Sequence, residues 1–153
     1  MKKLRIGVIG LGMGRHHIAS YLKHRAAQVV ALADPDAARL EEIGGKFEVP
    51  ARYTDGLEMI AREELDVVSV ATPNRFHAPL TIAAFKAGAH VLCEKPMAMN
   101  TAEARAMLAA ARRARRRLMI NFSYRFSAAS QQLRREVDRG ILGDVYFART
   151  VWH

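Results

Sequence analysis

Leu4-Arg5-Ile6-Gly7-Val8-Ile9-Gly10-Leu11-Gly12-Met13-Gly14 is the stretch on which the fold turns. An apolar strand runs into three closely spaced glycines, and a helix is expected to start directly behind them. That geometry lets bare backbone approach a pyrophosphate while the first N–H groups of the helix point at its charge. The spacing departs from G-x-G-x-x-G, because position 15 is Arg15 and the third glycine comes one residue early, at Gly14. Taken alone, the stretch serves equally as an ordinary strand-to-helix turn. The rest of the chain decides its meaning.

The chain has 153 residues, half of them hydrophobic and a quarter charged, which is the size and composition of one globular domain with a real core. No apolar run approaches the roughly 20 residues that span a bilayer. The single cysteine, Cys93, excludes an internal disulfide and suits a reducing compartment, so a cytoplasmic location is expected. The net charge of +9 draws five of its cations from the run Arg112 to Arg117. That run closes an expected helix, where cations complement the dipole and face water. No aromatic residue is interleaved with it, so a nucleic-acid partner is not expected.

Outward from the glycines, strand and helix alternate. His16 to Lys23 continues the first helix, and Val29 to Ala33 is a fully apolar strand that ends at Asp34-Pro35-Asp36. A helix over Asp36 to Phe47, a short strand Ala51-Arg52-Tyr53 and a helix Gly56 to Arg62 behind Asp55 follow. Val67 to Ala71 is the next strand, broken by Thr72-Pro73-Asn74. A helix with Pro79 in its first turn runs to Lys86 and is closed by Gly88. His90 to Cys93 is a strand, Asn100 with Glu103 caps the helix Thr101 to Arg115, and Leu118 to Asn121 is the last strand of the series. This alternation predicts an α/β fold, a doubly wound, mostly parallel sheet in three layers of the Rossmann type. Residues 1–122 form the expected dinucleotide-binding domain. Ser127 to Arg139 reads as a helix and Asp144 to Trp152 as a strand, so 123–153 is expected to be the opening helix and strand of a second domain, at which the chain stops.

In such sheets ligands gather at the carboxyl ends of the strands, so Gly10, Asp34, Thr72, Glu94 and Asn121 are expected on one rim. Asp34, twenty positions beyond Gly14, stands where a carboxylate accepts from the adenosine ribose hydroxyls and repels a 2′-phosphate, which favours NAD over NADP. It also serves as part of a turn and helix cap, and the two roles are compatible. His16 and His17 are adjacent and cannot share one helix face as a metal pair, and no Cys/His cluster has zinc spacing, so no metal is expected. Met97, Met99, Met107 and Met119 read as core filler and Cys93 as a buried strand residue.

Three further stretches carry a resemblance. They are Ala71-Thr72-Pro73-Asn74-Arg75-Phe76-His77, then Ala87-Gly88-Ala89-His90-Val91-Leu92-Cys93-Glu94-Lys95-Pro96, and last Asn121-Phe122-Ser123-Tyr124-Arg125-Phe126. In that order they resemble T-P-N-x-x-H, A-G-x-H-V-x-C-E-K-P and N-x-x-Y-R-F of the Gfo/Idh/MocA oxidoreductases, the glucose–fructose oxidoreductase and inositol dehydrogenase relatives. The resemblance implies an NAD cofactor, with NADP less favoured, and a sugar or cyclitol substrate. It implies that Lys95 lies beside nicotinamide and substrate hydroxyl and assists proton transfer. It further implies that Glu94 packs near the nicotinamide ribose, that Thr72, Pro73, Asn74 and His77 lie along the cofactor, and that Arg125 reaches toward it. Gly10, Gly12, Met13 and Gly14 would hold the pyrophosphate. Relatives are usually more than twice as long, with an antiparallel substrate domain that supplies further acid and base groups. A homo-oligomer with no membrane association is expected. The competing reading is a non-catalytic nucleotide-binding or interaction module that pairs with another chain.

Overall fold

The structure is a computed structural model that describes residues 2–151. It divides into two compact units, residues 1–121 and 122–153.

The first unit is a six-stranded sheet. Its strands are β1 (Leu4–Ile9), β2 (Ala27–Ala33), β3 (Ala51–Tyr53), β4 (Val67–Val70), β5 (His90–Cys93) and β6 (Leu118–Ile120). They pair in the order β3-β2-β1-β4-β5-β6, and every pairing is parallel. The helices between them are α1 (Leu11–Tyr21), α2 (Ala37–Lys46), α3 (Gly56–Arg62), α4 (His77–Lys86) and α5 (Thr101–Ala114). The central strands are apolar on both faces because helices cover both. Ile6, Val8, Leu32 and Val29 pack with Leu11 and Ile18 of α1 and with Leu40 and Ile43 of α2. On the other face Ile9, Val68, Val70 and Val91 pack with Met59 of α3, Leu80 and Phe85 of α4, and Met107 and Ala110 of α5. The doubly wound, parallel, three-layer reading of the sequence is the fold observed.

The expected caps form with their chemistry visible. Asp36 accepts from the Arg39 N–H at 3.1 Å and Asp55 from the Leu57 N–H at 2.7 Å. Asn100 accepts from the Glu103 N–H at 2.9 Å while Glu103 accepts from the Met99 N–H at 3.1 Å, a reciprocal arrangement that satisfies orphan donors at both positions. The arginine run closes α5. Arg112 and Arg113 lie in its last turn, Arg115 takes a left-handed conformation (φ 52°) behind it, and the Arg116 side chain donates to the Gly88 carbonyl.

The methionines divide. Met107 is fully buried and Met97 packs on the core, but Met99 and Met119 are exposed, the first on the loop before α5 and the second on the outermost strand. Core filling therefore holds for two of the four expected.

The second unit holds one turn of 3-10 helix, Ser123–Phe126, and helix α6 (Ala128–Asp138), whose N-cap Ser127 accepts from the Ser130 N–H. The strand expected over Asp144 to Trp152 does not form across 144–151, and Trp152 lies outside the described residues. A strand is defined by its partner, and none pairs with these residues here.

Candidate functional site

The site begins with register. Ala33, Ile9, Val70, Cys93 and Ile120 are paired across five neighbouring strands, so all end on one line. The next residues, Asp34, Gly10, Ala71, Glu94 and Asn121, each donate their N–H one strand across and form a single row. The strand order reverses between β1 and β4, which opens the sheet beside Gly10 and Thr72, the place where ligands settle in such folds.

Gly10 has φ +86°, a conformation that favours glycine, and a Cβ there would lie 2.6 Å from the Ala71 carbonyl oxygen. It is the N-cap of α1 yet supplies no side-chain cap. Of the first N–H groups of α1, that of Leu11 donates to Asp34 Oδ2 at 2.7 Å and that of Gly14 to the Gly10 carbonyl. Those of Gly12 and Met13 stay open at an exposed surface, and a Cβ on Gly12 would meet nothing within 4 Å. A Cβ on Gly14, by contrast, would sit 2.8 Å from Val8 Cγ1. Gly14 is thus the close-packing glycine of helix against strand, although it stands one position early. The irregular spacing leaves Gly12 and Met13 exposed at the start of the helix.

Asp34 is buried at the end of β2. Besides the Leu11 N–H, its carboxylate accepts from the Asp36 N–H at 3.0 Å and from Arg39 Nη1 at 3.2 Å. Arg39 also pairs with Asp36 at 2.9 Å.

Glu94 and Lys95, adjacent in sequence, separate sharply. Glu94 is buried and turned inward, where Oε1 accepts from His17 Nε2 at 3.0 Å and from Asn121 Nδ2 at 2.6 Å, while Oε2 accepts from the Lys95 N–H at 3.2 Å. Burial pushes the Glu94 carboxyl up, but the hydrogen bonds of Asn121, His17 and Lys95 outweigh it and hold the group below its ordinary value. His17 Nδ1 meets Ser69 Oγ at 2.7 Å. Since a carboxylate can only accept, Nε2 carries the proton toward Glu94. Lys95 is exposed, and its ammonium meets no carboxylate among the described residues. Burial pushes the neighbouring Cys93 thiol up to about 11.

His77 differs from the expected cofactor contact. It is fully buried under the rim, with Nδ1 2.7 Å from the Pro96 carbonyl oxygen and Nε2 2.8 Å from that of Thr72. Both partners are acceptors, so a neutral ring donates to one and only a doubly protonated ring donates to both. With no exposed surface, the side chain ties the loop after β4 to the loop after β5 instead of facing a ligand. The Glu94 carboxylate, likewise, faces His17 of α1. Lys95 therefore sits between two braces, one on each layer of the sandwich.

Thr72 Oγ1 is buried without a hydrogen-bond partner, while Pro73 and Asn74 are exposed. Arg125 is exposed in the helical turn of the second unit. Sequence reasoning missed His17, Ser69 and Arg39. The signal for His17 was its place three residues after Gly14, on the buried face of α1.

The open α1 N-terminus, the bare Gly12 and the orphaned Thr72 hydroxyl suit a dinucleotide. Among the described residues no group of three His, Cys, Asp or Glu could hold a metal, and no helix is long and apolar enough to cross a membrane.

Comparison with known proteins follows the same line. D-glucoside 3-dehydrogenase of Escherichia coli (strain K12) is 37% identical over 145 residues, which cover 94% of this chain and 41% of that relative. Myo-inositol 2-dehydrogenase of Thermotoga maritima is 34% identical over 147 residues, 95% of this chain and 44% of the relative. Among solved structures, myo-inositol 2-dehydrogenase from Lactobacillus plantarum superposes with a TM-score of 0.89 at 29% identity, covering 94% of this chain and 43% of that one. Scyllo-inositol dehydrogenase from Lactobacillus casei, with bound NAD(H) and scyllo-inositol, gives 0.88 at 25% identity, with 94% and 43% covered. The chain thus spans less than half the length of these relatives. Residues 4–122 match the oxidoreductase family with an NAD-binding Rossmann fold, and the chain belongs to that family, Gfo/Idh/MocA.

Proposed function

We propose that this chain is the cofactor-binding part of an NAD-dependent oxidoreductase acting on a sugar or cyclitol alcohol. The observation that carries the reading is the α1 N-terminus at the point of strand reversal, with the Gly12 and Met13 N–H groups open and buried Asp34 fixed beside them on the Leu11 N–H. Gly12 and Met13 N–H groups, with Gly10 and Gly14 setting the turn, hold the diphosphate, and Asp34 accepts from the adenosine ribose hydroxyls. Thr72, Pro73 and Asn74 line the next part of the cofactor, and Arg125 reaches toward it in the complete protein. The nicotinamide, when bound, supplies a hydride acceptor or donor at its C4. Lys95 orients the substrate hydroxyl and handles its proton through the exposed ammonium, while Glu94 and His77 act from beneath by fixing the loop that carries it. The relatives named for inositol and glucoside oxidation support the substrate class.

In this reading 1–122 is the dinucleotide-binding domain and 123–153 opens a second, substrate-facing one. A homo-oligomer in the reducing cytoplasm, where the buried Cys93 stays a thiol, completes the proposal. Calorimetry tests it. The 153-residue chain should take up NAD and show little or no turnover, and the absence of any heat with either NAD or NADP would overturn it.

A further inference from the structure

His17 lies on the buried face of α1, five residues and about 7.5 Å along the helix from Gly12. Its Nε2 donates to Glu94 Oε1 at 3.0 Å, and the other oxygen of that carboxylate accepts from the Lys95 N–H at 3.2 Å. A carboxylate is planar and rigid, so a donor that fixes one oxygen also fixes where the other lies. Asn121 Nδ2 meets the same Oε1 at 2.6 Å, but Asn121 stands at the end of the outermost strand. His17 instead brings a helix seated on the core through fully buried Leu11 and Ile18. The ring is locked from behind as well, since Nδ1 meets Ser69 Oγ at 2.7 Å. Ser69, His17 and Glu94 follow the order of a nucleophilic triad, yet Ser69 is fully buried and no substrate reaches its hydroxyl. What the three residues supply is orientation.

We propose that His17 is the positioning residue of Lys95, tying the lysine's loop to the helix whose first turn receives the diphosphate. The inference rests on the proposed roles of the α1 N-terminus and of Lys95. One element then locates both cofactor and lysine. α1 gives its first N–H groups to the diphosphate and, five residues on, its imidazole to the loop after β5. Without the ring, Glu94 keeps one side-chain donor, Asn121, and turns about that single pin toward the open rim. The Lys95 N–H is released, and the ammonium loses its fixed distance from the nicotinamide. His77 still holds the far side of the loop at the Pro96 carbonyl, so the loop swings without unfolding.

The test compares the 153-residue natural chain with His17→Leu and with His17→Gln, which keeps an N–H for Glu94. Hydrogen exchange followed by NMR should quicken about tenfold at the Lys95 amide in His17→Leu, and by more than at the amides of β1. Calorimetry should show NAD weakened about tenfold and ADP, which lacks the nicotinamide half, by less than about threefold. His17→Gln should bring both readouts back to within about threefold of the natural chain. If His17→Leu does not fold, Ser69→Ala frees the ring at Nδ1 and should move the same two readouts in the same direction. Unchanged readouts there would overturn the proposal. So would equal losses of NAD and ADP, Lys95 exchange that merely follows β1, or no rescue by His17→Gln, since each would reduce His17 to a support for α1. If the natural chain binds neither NAD nor ADP, the dinucleotide reading falls, and the Lys95 amide alone still decides whether His17 places the lysine.

Discussion

Gly14 and Gly12 are two residues apart on the same helical turn and divide two jobs. The first gives room to the protein, since a methyl group there would be driven into Val8, and the second borders open space, the place of the diphosphate in the proposed function. Gly14→Ala should therefore lower stability by about 1–3 kcal/mol through overpacking of α1 on β1. Gly12→Ala should raise stability by about 0.5–1 kcal/mol, as alanine in a helix does, while weakening NAD about tenfold. Chemical denaturation and NAD titration of both variants separate the two effects. Unchanged NAD affinity in Gly12→Ala would remove Gly12 from the cradle.

At the scale of elements, the loop after β5 is held from both layers of the sheet. Glu94 ties it to α1 through His17, and the Pro96 carbonyl ties it through His77 to α4 and the loop after β4. His77→Leu keeps the bulk but removes both ring nitrogens, so the Pro96 and Thr72 carbonyls lose the imidazole that joins them. The expected loss is about 1–3 kcal/mol, for the carbonyl that the ring N–H satisfied and that water cannot reach. Hydrogen exchange should speed up selectively at 72–76 and 94–98. Loss of protection spread evenly over the sheet would mean that His77 only fills space.

Across the whole molecule, the buried polar network from Ser69 through His17 and Glu94 to Asn121 links α1 to the ends of three strands, β4, β5 and β6. Glu94 is the carboxylate of this network. Its pKa is lower folded than in the ordinary state near 4.5, so its contribution is complete above that value and is lost as pH falls through the folded value. Glu94→Gln should be less stable than the natural chain at neutral pH, and the two should converge in acid. Urea titrations over a pH series measure this, and a constant difference at every pH would rule the linkage out.

Much of this was legible from residue order. Alternating apolar runs with short breaks dictate strands buried between helices, and Asp36, Asp55 and Asn100 announce helix starts through local chemistry that needs no distant partner. The positions of Asp34, Glu94 and Lys95 at strand ends follow from the same pattern. Side-chain direction did not. Glu94 turned inward and Lys95 outward because α1 offers a buried imidazole to the first, and His77 disappeared beneath the rim because two loops present the carbonyls of Thr72 and Pro96 to it. The expected strand does not form across 144–151 for the matching reason, since alternation proposes a strand but only a neighbouring backbone makes one. Sequence by itself determined a parallel nucleotide-type sheet and which residues reach its rim. Tertiary packing decided which of them stay exposed at that rim and which turn inward, because burial and hydrogen-bond partners come from chain segments that the local pattern cannot see.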